Sequence, residues 1–88
     1  MVTLEEAKAW LRVDGDTEDA LLLSFIQAAE DIVNGILRRP VSGDAPETVK
    51  QAVIYAVSRF YEERESLDIL GLMAGLRGML FAYREAAW

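Results

Sequence analysis

Apolar residues recur at helical spacing along this chain, most densely from Pro46 to Glu65, PETVKQAVIYAVSRFYEERE. At about 100° per residue, Val49, Ala52, Val53, Ile54, Ala56, Val57, Phe60 and Tyr61 cover an arc of roughly 200°, wider than the stripe of a surface helix. A helix so apolar needs packing on two sides. Val49, Val53, Ala56 and Phe60 are expected to meet a second long helix, while Ile54, Val57 and Tyr61 receive the C-terminal segment or a neighbouring subunit. Arg64 falls inside the apolar arc. It either snorkels at the helix end, pairs with a carboxylate such as Glu5, Glu6 or Asp68, or crosses a subunit interface.

The same periodicity predicts helices over about 3–13, 17–37, 45–65 and 76–86. Thr3 and Glu6 have capping-box spacing, which starts the first helix. Its apolar face is Leu4, Ala7 and Leu11, with Trp10 at the border, and the turn Asp14-Gly15-Asp16 ends it. Asp16 or Thr17 is expected to cap the second helix, whose stripe is Leu22, Phe25, Ile26, Ala29, Ile32, Val33 and Ile36. Ser24, Gln27, Asp31 and Asn34 form its wet side. Pro40 and Gly43 interrupt the pattern, and Asp44 with Glu47 repeats the capping-box spacing around Pro46, expected in the first turn of the third helix. The two long helices match in length at about 30 Å each. They predict an antiparallel hairpin.

The final stretch is apolar, but Gly71 and Gly75 each cost a helix interior about 1 kcal/mol, so residues 67–75 read as a loose connector. From Leu76 the stripe Leu76, Met79, Leu80 and Tyr83 predicts a terminal helix. Leu72, Met73, Phe81 and Trp88 are surplus to the core of one subunit, and leftover apolar surface marks an interface. The expectation is a single all-α domain: a small helical bundle built on a long antiparallel helix hairpin, with a short N-terminal helix and a C-terminal helix.

Composition narrows the chemistry. The chain has 88 residues, 52% hydrophobic, with Cys 0 and His 0. Disulfides, thiolate or imidazole metal sites, and Ser-His or Cys-His nucleophiles are therefore excluded. A net charge of −6 argues against dedicated duplex binding, which needs Lys and Arg on phosphates. The acidic run Asp14–Asp19 begins like a calcium loop, but its sixth position is Asp19 and its twelfth Phe25, so the register fails. Arg38 and Arg39 fit the C-terminal dipole of a helix better than a phosphate site. The opening has no basic segment followed by an apolar one, which reads as a cytoplasmic chain, and Arg77 interrupts the last apolar stretch short of membrane-spanning length.

Three segments carry a family resemblance. VTLEEAKAWLRVDGDTEDALLLSFIQAAEDIV resembles the start of the small head-tail connector, or adaptor, proteins of tailed phages and prophages, which are often labelled DNA-packaging proteins. PETVKQAVIYAVSRFYEERE is similar to their second long helix. LRGMLFAYR is similar to their closing phrase, with Tyr83 and Arg84 in place and Ala82 where proline is common. The resemblance implies an all-α structural subunit, without catalysis or cofactor, that forms a ring beneath the portal, usually a dodecamer. It takes part in head completion, contacts the portal and the tail-proximal head-closure proteins, and lets DNA pass as cargo. It works in the host cytoplasm during assembly and then at the virion head-tail junction. Surplus apolar surface and resemblance together nominate Ile54, Val57, Tyr61, Arg64, Leu72, Met73, Phe81, Tyr83, Arg84 and Trp88 as interface candidates. A helical regulatory module binding another protein through its apolar C-terminus is the alternative. An enzyme would need Arg12, Arg38, Arg59 or Arg64 to converge on a dicarboxylate.

Overall fold

Thr3 has extended backbone angles, φ −84 and ψ 161, and so turns its side chain back over the turn that follows. Its hydroxyl accepts the Glu6 amide at 3.1 Å, and the Glu6 carboxylate accepts the Thr3 amide at 3.0 Å. The capping box predicted from spacing is therefore closed in both directions. It starts α1, Leu4–Leu11. The computed structural model describes residues 2–40 and 45–83; α2 is Asp19–Leu37, α3 Glu47–Glu62 and α4 Ile69–Leu80, followed by a 3-10 turn at Phe81–Tyr83. No strand occurs among the described residues.

The largest helix-to-helix contact joins α2 and α3. Leu22, Ile26, Ala29, Val33, Ile36 and Leu37 are buried on α2, and Val49, Ala52, Val53, Ile54, Ala56 and Val57 on α3. Each large aliphatic residue removed from water contributes about 1.5–3 kcal/mol, so these stripes supply most of the cohesion. Phe25 of α2 stacks on Phe60 of α3 with centroids 5.8 Å apart. The last turn of α3 thus lies against the early turns of α2, as an antiparallel hairpin requires. In length and hydropathy α2 could cross a membrane, yet one side of it is bundle core and the other carries Ser24, Gln27 and Asp31.

The C-terminal helix begins earlier than the periodicity predicts. Asp68 accepts the Gly71 amide at 3.0 Å and caps α4 at Ile69, so the expected connector at 67–75 is mostly helix. Leu72, Leu76 and Leu80 then fall at i, i+4 and i+8 on one face, all fully buried. Leu72 is core rather than surplus for that reason. The Ala82 end of the predicted helix is a 3-10 turn, and residues 84–86 lie outside the described residues.

Two further expectations change. Neither Asp16 nor Thr17 caps α2; Glu18 is the N-cap residue and makes no side-chain cap bond, because its carboxylate is engaged elsewhere. Pro46 precedes α3 as its N-cap rather than sitting in its first turn, while Asp44 lies outside the described residues. The short α1 could not stand alone. It is held by Lys8, which pairs with Asp19 at 2.8 Å and donates to the Gly15 carbonyl, by a Glu6–Lys50 ion pair, and by the Val2 amide donating to Glu30 at 3.2 Å.

Candidate functional site

Polar contact between the far ends of α2 and α3 centres on Glu18. Tyr61 on the last turn of α3 donates its hydroxyl to the Glu18 carboxylate at 2.7 Å, and Arg64, just past that helix, donates to the other oxygen at 3.2 Å. The Arg64 guanidinium also lies over the Tyr61 ring, 5.2 Å from its centroid. Both donors favour the charged carboxylate, the Tyr61 hydroxyl most strongly and Arg64 next, and hold the Glu18 carboxyl below the ordinary glutamate range. The same carboxylate raises the Tyr61 phenol. Arg64 therefore pairs with Glu18 instead of Glu5, Glu6 or Asp68.

A second surface is the outer side of α4. Leu70, Arg77 and Phe81 fall on the face turned away from Leu72, Leu76 and Leu80. Leu70 and Phe81 are each 80% exposed, about 16 Å apart along the helix, with exposed Arg77 between them. Met73 and Arg77 border a groove of about 260 Å³ that reaches Gly35, Ile36 and Arg38 at the end of α2. The opposite flank of α4 carries Met79. There, with Trp10 of α1 and Gln51, Tyr55, Ser58 and Glu62 of α3, it lines a larger groove of about 410 Å³. Arg59 lines it too, held by Glu63 and by the Tyr55 hydroxyl at 2.8 Å. Trp10 is 59% exposed.

The family model described as Phage gp6-like head-tail connector protein matches residues 1–70. The chain belongs to this family. No curated protein and no solved structure matches it. The matched part of the connector covers α1 to α3 and stops at the first residues of α4, so the exposed ridge from Leu70 to Phe81 lies almost wholly beyond it.

The nominated residues of the connector separate into groups. Ile54, Val57 and Leu72 are taken up by the subunit's own core. Tyr61 and Arg64 meet at Glu18; Met73 is half-buried beside the smaller groove; and Tyr83 donates to the Thr48 hydroxyl at 3.4 Å. Phe81 is nearly free in solvent. Arg84 and Trp88 lie outside the described residues. Sequence reasoning passed over Leu70 and Glu18. Leu70 shares the spacing of Ala74, Arg77 and Phe81, a signal obscured by treating residues 67–75 as a connector; Glu18 meets partners 43 and 46 residues away, which no local pattern encodes.

Proposed function

We propose that this protein is a structural subunit of the phage head-tail junction that closes into a ring beneath the portal, usually of twelve copies. In this reading it joins the portal to the tail-proximal head-closure proteins, takes part in head completion and leaves a channel for DNA. Assembly begins in the host cytoplasm and ends in the virion. The observation that carries the reading is the outer face of α4: Leu70 and Phe81 stand 80% exposed on a helix whose inner face is wholly buried. Exposed apolar side chains of that size on a small subunit are what an assembly interface covers. A ring needs a heterologous contact, one face meeting a different face of the next copy. A ridge on one side of α4 and a groove on the other offer two such faces.

The acidic balance fits a conduit, since a net charge of −6 leaves little attraction for passing phosphates. The role asks for neither cofactor nor catalysis. An arginine clamp for a dicarboxylate is disfavoured, because Arg59 and Arg64 are committed to Glu63 and Glu18. Native mass spectrometry and electron microscopy, with and without purified portal, test the reading. A ring in either condition is expected, and only monomer at high concentration in both would overturn it.

A further inference from the structure

We propose that copies of this chain join by seating the α4 ridge of one subunit, Leu70, Arg77 and Phe81, in the Trp10–Tyr55–Met79 groove of the next, with Arg77 of the ridge meeting Glu62 on the groove rim. The inference rests on the ring reading above and specifies its contact. The ridge presents two large apolar side chains with one cation between them. The groove, about 410 Å³, is lined by Trp10, Tyr55 and Met79 together with Arg59, whose charge is met by Glu63, and the exposed carboxylate of Glu62. Its volume falls in the range that encloses small organic groups, enough to receive an aromatic ring.

Charge selects the occupant. Several cations already have carboxylate partners within the subunit: Lys8 with Asp19, Lys50 with Glu6, Arg59 with Glu63 and Arg64 with Glu18. Arg77 and Glu62 are exposed and have no partner among the described residues. They cannot serve each other within one subunit, because Arg77 is on the flank of α4 with Met73, whereas Glu62 lines the groove on the flank with Met79. Between copies the two are complementary in charge, and each lies beside exposed apolar side chains, Leu70 and Phe81 on the ridge and Trp10 at the groove. Ridge and groove are different surfaces, so the contact is heterologous and can propagate around a ring. Opposite charges at such a rim set orientation and partner choice more than raw affinity.

The test measures the assembled fraction by native mass spectrometry for the full chain, alone and with portal. Compared are wild type, Arg77→Glu, Glu62→Arg, the double charge swap and Phe81→Ser. The first two and Phe81→Ser are expected to lower assembly by about tenfold or more, and the double swap to recover most of it. Circular dichroism should show unchanged helicity, since all three side chains point outward. Single variants that assemble like wild type, or a double swap no better than the singles, would overturn the proposed contact while leaving the ring reading intact. Variants that form rings but lose only portal binding would also overturn it, assigning the ridge to the portal. Wild type that stays monomeric with and without portal overturns both.

Discussion

At the scale of single residues, the Glu18 cluster makes a claim that pH can check. The folded state lowers the Glu18 carboxyl, so its contribution to stability is present above the ordinary glutamate range and is lost as pH falls through the lowered value. The folded state raises the Tyr61 phenol, so the shared hydrogen bond also weakens as pH climbs through that raised value, above the ordinary phenol near about 10. Replacing Glu18 with Gln keeps the shape and removes the charge. The variant should melt below wild type near neutral pH, and the gap should close only as pH falls through the lowered Glu18 value, beneath the ordinary glutamate range, where the wild-type carboxyl is protonated too. A gap that persists in acid would mean the carboxylate charge is not what the cluster uses. Arg12 and Arg38 supply a second check, for each ends its helix at positive φ, 59 and 60, where glycine is the usual occupant. Holding a side chain there costs about 1 kcal/mol, so Arg38→Gly should raise unfolding free energy by up to about that much in chemical denaturation.

At the scale of helices, α4 separates what the sequence could and could not yield. The Thr3–Glu6 box and the stripes of α2 and α3 were legible because a local pattern of side chains determines each. The start of α4 was not, because Gly71 and Gly75 read as breakers while the feature that overrides them, an Asp68 side chain on the Gly71 amide, looks from sequence like any aspartate. Both glycines have close neighbours: a Cβ on Gly71 would run into the Asp68 carboxylate, and one on Gly75 would stand 3.2 Å from the Tyr55 hydroxyl. Gly78 has open space. Gly78→Ala should therefore stabilise the protein by about 0.5–1 kcal/mol, whereas Gly71→Ala should gain nothing because it displaces the cap. The same helix predicts a contrast between leucines. Leu72→Ala empties a fully buried position and should cost about 2–5 kcal/mol. Leu70→Ala, on the exposed ridge, should stay within about 0.5 kcal/mol for the isolated subunit. Equal losses at the two positions would show that α4 sits in the bundle with a different face inward.

For the whole molecule, folding and assembly are linked by mass action. A subunit of 88 residues without disulfides has modest stability, on the order of 4–13 kcal/mol, so a contact made only by folded copies adds a visible increment. If the α4 ridge of each copy is buried in its neighbour, unfolding must release that contact, and the melting temperature should rise with protein concentration. Phe81→Ser removes the ridge's aromatic group without touching the core, because Phe81 follows the buried Leu80 at the end of α4 and points outward. Its melting temperature at low concentration should match wild type, and its dependence on concentration should be flatter. The comparison separates the two roles an apolar residue can have. A loss at every concentration would assign Phe81 to the fold, and parallel slopes would remove it from the interface. A slope that flattens while the dilute limit holds is the behaviour expected of a residue whose apolar surface is completed only by another copy of the chain.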